Sequence, residues 1–225
     1  MPNLNQLIIV IRQLINYLKE NGVECDTNGA IKFKKEWFLT ELPDQIVPYN
    51  HRNDVRVIDK SKTVICHYCA DKYIYPRISK ILKDIPEYKK FMGVIQSDIT
   101  ITCDMDIELQ QAIMLLNSLY IAVLGVNGIK IIGNTRCGDI VTQNNFKCFP
   151  KDVMWASGFL GCDKSKNIKD AIQYIEKIVN IQPSCLLIYG KHDKLIELML
   201  NNSNIKFKIY TDFHQWERRE NDGRH

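Results

Sequence analysis

No apolar stretch in this 225-residue chain reaches the roughly 18 residues needed to cross a bilayer, so no membrane span is expected. The first twenty residues carry Arg12 inside an otherwise apolar helical face, unlike a secretory signal. An excess of one sign of charge is also lacking, with 30 basic against 26 acidic residues. A formal net charge of +4 falls short of the basic stripe of an obligate duplex-DNA binder; contact with phosphate is permitted, not required. No G-x-S-x-G, H-E-x-x-H or G-x-G-x-x-G occurs, which removes the hydrolase elbow, the zinc-protease helix and the dinucleotide-binding turn. The eight cysteines are scattered and read as reduced thiols, not as a disulfide framework. Cys66 and Cys69 have the first-pair spacing of a zinc site, but no second pair follows to complete four ligands. Strand alternation also sets Cys66 and Tyr68 on one face and His67 and Cys69 on the other. The expectation is a soluble, intracellular globular protein.

What is present is a regular alternation. Apolar residues Leu4, Leu7, Ile8, Ile11, Leu14, Ile15 and Leu18 recur at helical spacing, and Asn21-Gly22 ends that helix. Thr27-Asn28-Gly29 then suits the turn of a hairpin, because Asn and Gly accept positive φ. Residues 1–40 thus form a helix-hairpin accessory region, either packed on the main domain or acting as a separate recognition module. Residues 41–61, with Pro43, Pro48 and no period, read as a connector. In the α/β domain, residues 62–212, strand-like runs at 63–69, 93–99, 129–133, 153–156, 185–189 and 205–210 alternate with helical patterns at 74–90, 106–126, 167–180 and 191–202. Such repetition implies a mostly parallel sheet with right-handed crossovers, either doubly wound or curled into an incomplete barrel. The polar tail, residues 213–225, is expected to fray.

Polar residues gather where these strands end: Ser97, Asp98 and Thr100; Asn134, Thr135 and Arg136; Ser157 and Gly158; Gly190. The carboxyl ends of parallel strands are where α/β proteins collect ligands and chemistry. Asp71, Asp98 and Asp139 are the candidate catalytic carboxylates and the candidate ligands for Mg²⁺ or Mn²⁺, which take oxygen donors. Asp104 and Asp106 have the competing reading of helix caps. Asn117, inside an apolar helix, needs a partner and suits a bond to the sheet as well as it suits a ligand. Arg136 can clamp a phosphate or pair with Asp139 to order its loop. The segment from Ser157 through Gly158 and Gly161 to Lys164 lacks the Walker A spacing, but small residues ahead of a helix start leave free N–H groups that suit an anion. His67, His192 and His214 are isolated and read as surface or packed residues.

The phrases GVIQSDITITCDMD, MLLNSLY, GIKIIGNTRCGD, the Phe-Lys-Cys-Phe-Pro segment, VMWASGFLGC and IQPSCLLIYGK, in that order, resemble an uncharacterised bacterial and phage family, the domain of unknown function numbered four-four-one-seven. The resemblance covers about residues 46–210. Carried over position by position, it singles out Asp71, Ser97, Asp98, Asp104, Asn117, Gly138, Asp139, Ser157, Gly161 and Gly190. Ile99 stands where the family has an aromatic, Asp106 where it has a proline, and Cys137 where it has a tryptophan. The resemblance implies a phage or mobile-element setting in the cytoplasm of a bacterial host cell, and no established reaction.

Two functions are expected from residues and resemblance together. In the first, Asp98, Asp71 and Asp139 act on a phosphate-containing ligand, a nucleotide or nucleic acid, with metal assistance. Ser97, Thr100, Asn117, Asn134, Arg136, Ser157, Gly158, Gly161 and Lys164 bind that ligand. In the second, the same pocket belongs to a non-catalytic protein that antagonises a host protein or sequesters a small nucleotide signal.

Overall fold

The structure is a computed structural model describing residues 4–25, 30–158 and 168–213. The turn expected at 27–29, the glycine loop carrying Gly161 and Lys164, and all of the tail beyond Phe213 lie outside the described residues. Among the described residues seven strands, all parallel, form one sheet: β1 (Gln45–Pro48), β2 (Thr63–Cys66), β3 (Gly93–Ile95), β4 (Ile131–Asn134), β5 (Met154–Gly158), β6 (Cys185–Tyr189) and β7 (Phe207–Tyr210). Their order in the sheet is their order in the chain. A doubly wound sheet reverses direction at a switch point, and this one never does. It curls into a nearly closed barrel instead.

Among the described residues β1 and β7 share no ladder. Side chains bridge the seam between them. Tyr210 Oη and Lys208 Nζ both donate to the Pro43 carbonyl, at 2.8 and 3.2 Å. The Phe213 ring sits 4.5 Å from the His51 ring, with the Arg56 guanidinium 4.1 Å from its centroid.

Strands covered on both faces need apolar residues throughout, which is why β2, β3 and β4 are buried from end to end. Helices wrap the outside: α2 (Asp71–Ile78) and α3 (Ile81–Tyr88) between β2 and β3, α4 (Ile107–Val126) before β4, α5 (Ile168–Ile181) before β6, and α6 (Lys194–Asn202) before β7. Asp106 and Asp193 cap α4 and α6 by accepting from the second and third backbone N–H groups of each helix. Against the expectation that no apolar stretch is long enough, α4 could cross a membrane by length and composition; most of it is buried inside the protein. The amino-terminal helix α1 (Leu4–Glu20) packs along it, burying Leu7, Leu14 and Leu18, while Tyr17 Oη donates to Asn127 Oδ1 at 3.1 Å. The accessory helix is therefore part of the packed body. Among the described residues of the expected hairpin, Cys25 and Ile31 form an antiparallel bridge.

Three expectations on elements are corrected. The connector contains β1, whose Ile46 and Val47 are buried; four residues between Pro43 and a terminal Pro48 are too few to display a period. The helical pattern at 74–90 is two eight-residue helices, each with an internal proline that removes a backbone donor, linked by the Arg77–Asp84 ion pair at 3.1 Å. Residues 140–148, read as no element, form a 3-10 segment capped by Asp139.

Candidate functional site

Residues that follow the last ladder positions of several strands bring further side chains to the carboxyl end of the barrel. One set of side chains turns into the barrel at its carboxyl-end mouth. Tyr68 and Tyr189 stack there, with ring centroids 5.5 Å apart. A Cβ on Gly158 would lie 2.7 Å from Tyr68 Cδ1, so this glycine leaves room for the tyrosine ring. Asn134 Nδ2 donates to Asp98 Oδ1 at 2.8 Å. The other set faces the helices. His67 meets Tyr120 of α4, Ser97 Oγ donates to Asn117 Oδ1 at 2.6 Å, and Ser157 bonds Tyr174 of α5.

Asp98 is the electrostatic centre of the mouth. Burial pushes its carboxyl above the usual carboxylate range, and neighbouring Asp71 pushes the same way. The Arg136 guanidinium and the Asn134 bond oppose that rise. Asn134 is itself fixed at both ends of its amide, because its Oδ1 accepts from Arg136 N at 3.2 Å. Gln96 Oε1 receives the Asn134 backbone N–H at 3.1 Å, and Arg136 Nη2 donates to the Ile101 carbonyl at 3.3 Å. Asp71, in the first turn of α2, accepts from both the N–H and the hydroxyl of Thr100 on one oxygen, tying the loop after β3 to that helix. Burial, with Asp98 and Asp71 adding to it, pushes the Cys69 thiol up to about 12, so it stays protonated and is no nucleophile at neutral pH.

Of the expected site residues, the barrel mouth gathers Asp98, Asn134, Arg136 and Gly158, with Asp71 and Thr100 beside them. Ser97 and Asn117 make the sheet-to-helix bond. Ser157 faces outward. Asp139 accepts from Val141 N at 3.1 Å and caps the 3-10 segment, while its own N–H is held by Gln110 Oε1. The expected metal triad of Asp71, Asp98 and Asp139 is corrected accordingly: among the described residues no three His, Cys, Asp or Glu side chains are grouped to hold an ion. Gly138 is accounted for by packing, since a side chain there would collide with Gln110 and Ile101. Gly161 and Lys164 lie outside the described residues. Sequence reasoning missed Tyr68, Tyr189 and Asp212. Tyr189 Oη accepts from Phe213 N at 2.9 Å and lies 3.4 Å from Asp212 Oδ1. The alternation that parts Tyr68 from His67 was the available signal.

A barrel mouth holding a carboxylate of raised proton affinity next to a guanidinium can anchor an anion and exchange a proton with it. The model of a family described as Domain of unknown function (DUF4417) matches residues 25–210, a span that takes in all seven strands. No curated protein and no solved structure matches the chain.

Proposed function

From the premise that the chain belongs to the Domain of unknown function (DUF4417) family, whose description names no reaction, we propose that the protein binds a phosphate-containing ligand, a nucleotide or nucleic-acid end, in the barrel mouth and processes it. The observation that carries this reading is Asp98, a carboxyl of raised proton affinity bonded to Asn134 beside the Arg136 guanidinium. The planar fork of an arginine matches phosphate oxygens bidentately. A carboxyl whose pKa lies nearer neutrality is a better general acid or base than an ordinary aspartate. Arg136 anchors the ligand and Asp98 moves the proton.

A thermal-shift screen against mononucleotides and short single-stranded oligonucleotides, each with and without Mg²⁺ or Mn²⁺, tests this. A ligand present at about 100 times its Kd adds roughly 2.7 kcal/mol, a readily seen rise in Tm. Arg136→Ala should remove the rise. Asp98→Asn should keep it and abolish product formation, as read by chromatography of the recovered ligand. Unchanged ligand from the wild-type protein would replace processing with retention, the form in which a protein sequesters a nucleotide signal. No shift with any probe would sink the reading.

A further inference from the structure

Tyr68 is 5% exposed, stacked on Tyr189 and fitted against Gly158, and its hydroxyl is buried with no hydrogen-bond partner among the described residues. Leaving a buried hydroxyl unpaired costs roughly 1–3 kcal/mol. Other buried hydroxyls around the sheet are paired: Tyr120 with His67 and Tyr88, Ser97 with Asn117, Tyr189 with the Phe213 N–H. The indole N–H of Trp155 also has no partner among the described residues, but it belongs to a side chain packed among Phe146 and Phe149, away from the mouth. Tyr68 differs because its surroundings are those of the site. Burial and then the charge of Asp98 hold its phenol protonated, so its O–H stays available to donate. Closed to bulk water, it gains an acceptor when a ligand brings one.

We propose that the Tyr68 hydroxyl is a ligand-contacting donor, which gives its proton in a hydrogen bond to a phosphoryl oxygen of the ligand that Arg136 anchors. The inference rests on the proposed function and deepens it. A site built around an unpaired donor discriminates strongly against molecules that offer it no acceptor, because the donor then stays unpaired. Selectivity for phosphorylated over unphosphorylated forms would therefore arise at Tyr68 as well as at Arg136.

The experiment compares wild type, Tyr68→Phe, Arg136→Ala and Asp98→Asn, by calorimetric titration and thermal shift, with the four ribonucleoside 5′-monophosphates, the corresponding nucleosides and inorganic phosphate as probes. Tyr68→Phe deletes the unpaired hydroxyl and keeps the ring. Its ligand-free Tm should equal or exceed that of wild type, while its Kd for the binding monophosphate should rise about tenfold, one lost hydrogen bond to a charged group. Its affinity for a nucleoside should stay unchanged. A lower ligand-free Tm would mean that the hydroxyl has a structural partner and would overturn the proposal. So would an unchanged Kd in Tyr68→Phe when Arg136→Ala abolishes binding, a result that leaves the function reading standing. No binding of any probe to wild type removes both.

Discussion

At the scale of single residues the sharpest conflict sits at Asp98, which stands among buried groups and beside a second carboxylate. Its folded-state pKa is raised above the ordinary 3.8, chiefly by burial. Between those two values the folded protein holds a proton that the unfolded chain has released, so stability falls as pH rises through that window. Above it the full penalty of the buried charge persists. Asp98→Asn should therefore melt higher than wild type at pH 7, and the gap should close as pH falls below about 4, where the wild-type carboxyl is protonated in both states. Thermal denaturation of both proteins at pH 7 and near pH 4 reads this directly; a lower Tm for the variant at pH 7 would show that Arg136 and Asn134 outweigh burial. An aspartate at the end of an apolar strand was visible in the sequence. That Asp139 would be spent on a cap was not, because spacing along the chain says nothing of how far the barrel wall carries two strand ends apart.

At the scale of elements, His67 shows how the helices are fastened to the barrel. The Ile95 carbonyl can only accept, so His67 Nδ1 carries the proton at 3.3 Å from it and Nε2 accepts from Tyr120 Oη at 3.1 Å. Tyr88 Oη, from α3, completes the chain at 2.5 Å from Tyr120 Oη. Burial holds the imidazole down to about 4 from its ordinary 6.5. The sign is opposite to that at Asp98: between those values the unfolded chain binds a proton that the folded one refuses, so stability is lost as pH falls. The loss reaches about 3 kcal/mol once pH is below 4. Urea denaturation at pH 7 and pH 5 should show a steep drop in wild type that His67→Phe flattens; an equally steep drop in the variant would place the acid sensitivity elsewhere. Much of this level was legible. Buried parallel strands read as apolar β-branched runs, and six of the seven lie where those runs do. Where each run stops pairing was hidden, since Tyr68 and Asp98 lie in the segments after β2 and β3, outside the ladders. β1 was hidden too, because four residues bounded by prolines carry no period.

At the scale of the whole molecule, the seven sequential strands leave one place where, among the described residues, the barrel closes without a ladder, the seam between β1 and β7. Periodicity left open whether the sheet was doubly wound or curled, because curvature comes from which strands become neighbours and not from any one of them. Here the closure is made by side chains of β7 and by Phe213, which is fully buried and lies just beyond the span matched by the family model. Its backbone N–H also holds Tyr189, which stacks on Tyr68, so the seam and the mouth share one network. Removing a buried phenyl costs about 3–5 kcal/mol in general. Phe213→Ala should cost that order here, and Tyr210→Phe about 1 kcal/mol for a single hydrogen bond. Where the cost falls is the more telling result. Hydrogen exchange should accelerate first in the amides of β1 and β7 and reach β4 and β5, on the far side of the barrel, only with global unfolding. Exchange that quickens evenly around all seven strands would mean that the seam is no weaker than the ladders and that Phe213 serves the core as a whole, not its closure.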